Sequence, residues 1–416
     1  MKKNIADKSS NIQLWSWILY DISDTVFSLF IVTLIYAVYF KEVVFNSSSS
    51  GDLAWGLSVS TSIIIVALTS PVLGALADYS GIKKRFLAIT SFMCIFFTSM
   101  LYFVERGDVI SGIVFFILAD IFYASSLTFY NAFLVDVADK DNFGKISGIG
   151  WAVGYAGALI ILFFLYPLVK EGFSEANIQN IRYSFVLTAF CYLVFTIPIL
   201  VFLKEKRIIE KRVKESYVRI GFKRVYETLG RIKDFKNLSF FLLAYFFYND
   251  GITTIIVFSS IFAAGTLKFS MKELLTFFII VQITAMAGSL ILGYIVDRVG
   301  AKRVIIATLF IWCGIVAGTY FVASRTIFYI IGLIAGFAMG SCQSASRSLM
   351  AMFTPTERSA EFFGFYSFCS KASAILGPVV FGAISSLTGN QRTGVLSVLI
   401  FFVIGLGLMW RVSEPV

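Results

Sequence analysis

The sequence predicts an all-α, polytopic membrane protein of twelve transmembrane helices in two pseudo-symmetric six-helix bundles. Three observations carry that expectation. Of 416 residues, 58% are hydrophobic and only 14% charged, with a mean hydropathy of +0.84, which leaves too little polar surface to cover a water-soluble globule. Apolar stretches run unbroken for about 20 residues, enough for a membrane-crossing helix, whereas barrel strands would alternate over about 10. Finally, one loop pattern is written twice, 219 residues apart, as Gly74-Ala-Leu-Ala-Asp78-Tyr-Ser-Gly81-Ile-Lys83-Lys84-Arg85 and Gly293-Tyr-Ile-Val-Asp297-Arg298-Val-Gly300-Ala-Lys302-Arg303. A period of about half the chain means two similarly folded halves.

Helix 1 is expected from Leu14 to Phe40. It follows Lys2, Lys3 and Lys8, but it is too long for a signal peptide and lacks a small-residue cleavage site, so it reads as an uncleaved span. Helix 2 (Leu53 to Ala77) and helix 3 (Phe86 to Val104) flank the first loop copy; helix 4 follows from Val109 to Val135. Helix 5 (Ile146 to Val169) opens on Gly144, Gly148, Gly150, Gly154 and Gly157, a small-residue spacing suited to close helix packing, and helix 6 runs from Tyr183 to Leu203. Helices 7 (Leu238 to Ala264) and 8 (Leu274 to Val296) precede the second loop copy. Helices 9 (Val304 to Ala323), 10 (Thr326 to Ala351), 11 (Phe362 to Leu387) and 12 (Gly394 to Trp410) complete the second set. Gly377-Pro378 with Gly382 should kink helix 11, because proline removes a backbone donor.

Between the sets lies a long polar stretch, 204–236, with 12 basic against 5 acidic residues and interleaved Ile208, Ile209, Val213, Val218, Ile220, Phe222 and Val225. It reads as a linker with one or two amphipathic helices on membrane lipids, dividing the chain into halves 1–203 and 237–416. With a cytoplasmic N-terminus, 25 of the 35 Lys and Arg fall in inside segments and 8 outside, while Arg347 and Lys371 lie within spans. Both termini are therefore expected in the cytoplasm, with a cell inner membrane the best fit for this multi-pass chain. The net charge of +10 follows from that topology and asks for no nucleic acid.

Enzymatic function is not expected. The chain has no histidine, no metal-like cysteine spacing among Cys94, Cys191, Cys313, Cys342 and Cys369, and no phosphate-cradling glycine loop, so neither metal nor cofactor is implied.

The repeated loop points to a gate. Gly74 and Gly293 let helices approach closely, and Gly81 and Gly300 suit a tight turn of positive φ. Asp78 and Asp297 can accept hydrogen bonds from a helix N-terminus, while Lys83, Arg85, Arg298, Lys302 and Arg303 meet lipid phosphates. Asp136 and Arg347, near the ends of helices 4 and 10, suit the same role. This pattern resembles the signature loop of the major facilitator superfamily, placed between helices 2 and 3 and again between 8 and 9. Tyr79 and Ser80 depart from the usual Arg and variable residue, which should weaken the first contact.

A narrower resemblance rests on Trp17-Ile-Leu-Tyr20-Asp21 with Phe27, Phe129-Tyr130-Asn131-Ala132-Phe133-Leu134, the helix 5 glycine run from Ser147, Tyr248-Asn249-Asp250-Gly251, Gln343 with Ser346-Arg347-Ser348, Glu361-Phe362-Phe363-Gly364, and Gly377-Pro378. These are similar to the autophagy-related vacuole effluxer-like branch, whose fungal members are associated with release of amino acids from the vacuole. The resemblance implies a single-chain transporter exporting small metabolites, with amino acids foremost and symport or antiport both open.

Ionisable residues deep in a bilayer are costly and normally face a bundle interior. Asp21, Asp24, Asp120, Asp250 and Lys371 are so placed, with Tyr20, Tyr130, Asn131, Asn249 and Gln343 as neutral polar candidates. The superfamily resemblance puts helices 1, 4, 7 and 10 around a central cavity. Such a cavity would be acidic, favouring a proton or other cation for coupling, or a small-molecule substrate with an amino group. Alternatively these charges only pair with neighbouring helices. A lysolipid flippase on the same fold and a non-transporting receptor or scaffold are the competing functions.

Overall fold

A computed structural model of the chain describes residues 2–46, 49–205, 217–231, 233–322 and 324–414. Among the described residues, twelve helices are long and apolar enough to cross a membrane: Asn11–Val44, Gly51–Ser80, Lys83–Phe103, Val109–Val137, Lys140–Val169, Ile178–Phe202, Lys236–Ser259, Lys272–Val299, Ala301–Phe321, Arg325–Phe353, Thr356–Thr388 and Gln391–Trp410. They match the twelve expected spans and keep the same numbers below. Helix 1 changes character along its length, with π-helical turns at Ser28–Leu34 and Phe40–Val44. Helix 11 is two pieces, Ser359–Ala372 and Leu376–Thr388, so the expected kink is a full interruption. Of the linker, Tyr217–Gly230 forms a helix; Ile208, Ile209 and Val213 lie outside the described residues.

The chain falls into two compact units. The first comprises Met1–Val137, Val153–Lys223 and Thr356–Ser367; the second comprises Ala138–Ala152, Arg224–Pro355 and Phe368–Val416. Within the first, helix 1 packs on helix 6, and helix 4 on helices 2 and 3. Within the second, helix 7 packs on helix 12, and helix 10 on helices 8 and 9, so the same pairings recur.

Glycines set how closely the second unit's helices approach. Gly332, Gly336 and Gly340 recur every four residues on helix 10, and a Cβ on Gly336 or Gly340 would collide with the Val281 or Ala285 carbonyl of helix 8. In the first unit helix 1 is anchored by aromatics. Trp17 and Tyr20 each stack on Tyr130 of helix 4, with centroids 4.8 and 4.7 Å apart, and the Trp17 indole donates to the Tyr130 carbonyl at 3.0 Å.

Candidate functional site

The two loop copies make matching contacts. Asp78 accepts from the Ala360 and Glu361 amides, at 3.1 and 2.8 Å, where the first piece of helix 11 begins. Asp297 accepts from the Gly144 and Lys145 amides, at 2.7 and 2.8 Å, at the start of helix 5. First-turn amides have no partner within their own helix, and a carboxylate also meets the positive end of the helix dipole. Glycines allow the approach. A Cβ on Gly74 would overlap the Ala360 carbonyl, and one on Gly293 would lie 2.8 Å from the Gly148 Cα. Gly81 and Gly300 turn the chain at φ of 63° and 95°, which L side chains rarely adopt. Asp78, with Tyr79 and Ser80 beside it, makes two such bonds, as Asp297 does.

Replacing either aspartate by alanine leaves two first-turn amides unpaired, at a cost of about 0.5–2 kcal/mol. We expect Asp78→Ala to speed amide hydrogen exchange at 359–361 roughly 2- to 30-fold, and Asp297→Ala to do so at 143–145. Unchanged exchange at those amides would count against the capping role.

The basic residues divide into two groups. Arg85, Arg298 and Arg303 are exposed. Lys83, expected to meet lipid phosphates, is instead 7% exposed, pairs with Asp136 at 2.6 Å and donates to the Ser359 hydroxyl at 2.8 Å. Lys84 and Lys302 instead tie off the last helix of each set. The Lys84 Nζ donates to the Leu203 carbonyl and its amide to Glu205; the Lys302 Nζ donates to the Trp410 carbonyl and its amide to Glu414. Arg347, 2% exposed, grips Ser147 of helix 5 through its hydroxyl at 3.0 Å and its carbonyl at 2.8 Å, with Trp151 beneath the guanidinium. In helix 4 the Thr128 hydroxyl donates to Ser367 at 2.7 Å.

Deeper in the first unit, the three aspartates are buried. Asp24 accepts a hydrogen bond from the Tyr123 hydroxyl and Asp120 from the Ser62 hydroxyl. Tyr20 bonds Ser91 at 2.8 Å and Tyr192 at 3.1 Å, and Asn131 is 7% exposed. The Asp21 carbonyl lies against Gly154 of helix 5.

In the second unit it is the Asp250 side chain, not its backbone carbonyl, that meets a glycine, Gly377 at the start of the second piece of helix 11. Pro378 lacks an N–H, and its ring excludes the carbonyl of residue 374. The amide of Gly377, whose helical acceptor would be Ser373, donates to both Asp250 oxygens at 2.9 Å. On the other side of the break the Ala374 amide turns to the Lys371 carbonyl at 3.2 Å, and the Ser370 carbonyl accepts from the Ser373 hydroxyl at 2.8 Å and from the Asn249 side-chain amide at 3.3 Å. Asn249 also donates to the Ser373 hydroxyl at 2.8 Å and accepts from Gln343 at 3.1 Å. One dipeptide of helix 7 therefore holds both sides of the interruption, and Asp250 is wholly buried. Lys371, half-buried, lies in the last turn of the first piece of helix 11.

Along residues 38–143 and 135–415 the chain matches the family described as Vacuole effluxer Atg22 like. It belongs to this family. A relative, the Uncharacterized MFS-type transporter YxiO of Bacillus subtilis (strain 168), is 30% identical over 407 residues, covering 96% of this chain and 94% of that protein. Autophagy-related protein 22 of Kluyveromyces lactis is 28% identical over 281 residues, 63% of this chain but only 56% of the fungal protein. Among solved structures, the human organic anion transporter MFSD10 (TETRAN) superposes with a TM-score of 0.75 at 12% identity, covering 97% of this chain and 99% of that one. The proton:xylose symporter XylE gives 0.73 at 16% identity, covering 98% and 95%. The fold is that of the major facilitator superfamily, and this vacuole effluxer-like chain is a multi-pass membrane transporter of that superfamily.

Several residues of this effluxer-like site escaped the sequence reading. Tyr123 carried a signal, lying three residues after Asp120 and so on its helix face. Ser62, Ser359, Glu205 and Glu414 carried none, because each meets its partner only across the fold.

Proposed function

We propose that this chain exports small metabolites bearing an amino group, amino acids foremost, by alternating access coupled to a proton or another cation. The halves 1–203 and 237–416 are the moving parts, joined by 204–236, in a single chain with both termini cytoplasmic in the cell membrane. Asp250 carries this reading. A carboxylate in the membrane interior costs roughly 2.5–3.5 kcal/mol on insertion scales, and a neutral Asn could accept from the Gly377 amide without that cost. It lies at the break in helix 11, and discontinuous helices of this kind commonly form the substrate and coupling-ion sites of carriers. A cation or substrate amine arriving at Asp250 competes with the Gly377 amide, and releasing that bond frees the two pieces of helix 11 to shift. Asp78 and Asp297 then act as latches, letting go of helix 11 and helix 5 when the cytoplasmic face opens. Export is the direction supported by the family description, vacuole effluxer.

The test is uptake of a labelled amino-acid panel into proteoliposomes under pH gradients of both signs. Gradient-dependent flux of any member supports the reading; failure of the whole panel by folded, inserted protein overturns it. A lipid carrier is the second reading, favoured by an apolar cavity in the second unit lined by Phe258, Phe262, Phe277 and Phe328, with Ser259 and Thr319 among its few polar residues. Binding of lysolipid by a chain inert to the whole panel would support it.

A further inference from the structure

The linker helix Tyr217–Gly230 has one face fixed to the protein and another without a described protein partner. On the fixed face, Ile220 and Thr228 are 7% and 8% exposed, and Gly221 sits on helix 2 so closely that a Cβ would lie 2.9 Å from Val72 Cγ1. On the other face, Phe222 and Tyr226, one turn apart, are 60% and 78% exposed, with Arg219 and Lys223 exposed beside them. Residues 217–236 carry six basic side chains against two acidic ones.

We propose that this outer face docks on anionic phospholipid headgroups, with Phe222 and Tyr226 entering the interface and Arg219 and Lys223 meeting phosphates. The proposal rests on the topology given above, which sets the linker at the inner leaflet. Three features choose a bilayer as the occupant. The charge is complementary to an anionic leaflet, and paired aromatics beside cations are the composition of interfacial helices. The anchor also sets the depth. Val72 lies eight residues before Ser80, the end of helix 2, which at 1.5 Å per residue is about 12 Å inside that end. A helix pinned there lies at the edge of the hydrocarbon, within reach of the headgroup boundary. Gly74 and Asp78 follow Val72 on the same helix, so a linker held by lipid also steadies the part of helix 2 that contacts the start of helix 11.

The experiment is amide hydrogen exchange of the full-length protein in nanodiscs of phosphatidylcholine with or without phosphatidylglycerol. Exchange across 217–230 should slow about fivefold or more when the anionic lipid is present, since each basic residue near such a surface contributes about that factor. Arg219→Gln/Lys223→Gln should erase the phosphatidylglycerol effect and leave the phosphatidylcholine rate unchanged. Phe222→Ser/Tyr226→Ser should speed exchange in both lipids. Equal exchange in the two lipids, or a full phosphatidylglycerol response in the charge variant, overturns the proposal. Because no transport is read, this outcome is independent of the substrate assignment.

Discussion

Asp250→Asn should cut gradient-driven flux about 10- to 100-fold while the chain remains folded and inserted, the loss corresponding to one hydrogen bond made by a charged group. Asparagine keeps the size of the side chain and one oxygen facing the Gly377 amide, so the break in helix 11 should survive. What disappears is the negative charge that a coupling cation or substrate amine would neutralise. Comparing two assays locates the loss. If Asp250 carries the coupling ion, exchange of labelled for unlabelled substrate without a gradient persists while gradient-driven accumulation fails. If it binds the substrate amine, both fail. Gradient-driven accumulation at the wild-type rate would reduce Asp250 to a helix cap and remove the main support for the coupled reading. Asp250→Ala is the structural control: it leaves the Gly377 amide buried without an acceptor, a loss of roughly 1–3 kcal/mol that a melting curve reads directly.

The parts of this architecture visible in the sequence are those written locally. Apolar runs gave the twelve spans, because a helix in lipid must satisfy its own backbone over about 20 residues. The glycine and aspartate spacing of the repeated loop was legible for the same reason: a positive-φ turn and a carboxylate one helix end away leave few residue choices. Their partners were not legible. Ala360 and Gly144 lie 282 and 153 positions from Asp78 and Asp297, and no local pattern marks an amide as the one to be capped. Gly377-Pro378 announced a disturbance of helix 11, but that Asn249 and Asp250 would hold its two sides depends on helices 7 and 11 meeting at one depth. Charge was the least reliable guide. Lys83 and Lys84 are neighbours with one composition signal, yet Lys83 is buried against Asp136 while Lys84 ties helix 3 to the end of helix 6.

Lys83→Met should be the most damaging single change for stability in the first unit. The Lys83 and Asp136 side chains are 8% and 6% exposed and 2.6 Å apart. Removing one partner of such a buried pair strands the other charge, which typically costs about 3–5 kcal/mol. Methionine keeps the length and flexibility of the lysine stem, so the loss reports charge more than packing. Lys83→Met/Asp136→Leu removes both charges and should recover most of that loss, since buried pairs replaced by apolar residues are often neutral or better. Denaturation in detergent micelles, followed by circular dichroism, measures all three chains on one scale. Recovery in the double variant would mean that the pair contributes little net stability. Its presence would then be better explained by its second contact, the Lys83 bond to Ser359 at the start of helix 11, beside the amides that Asp78 holds. A double variant as unstable as Lys83→Met would instead make the pair a structural necessity. Between these outcomes flux decides: a stable double variant with altered transport makes Lys83 and Asp136 part of the latch, and one with unaltered transport leaves the latch to Asp78 alone.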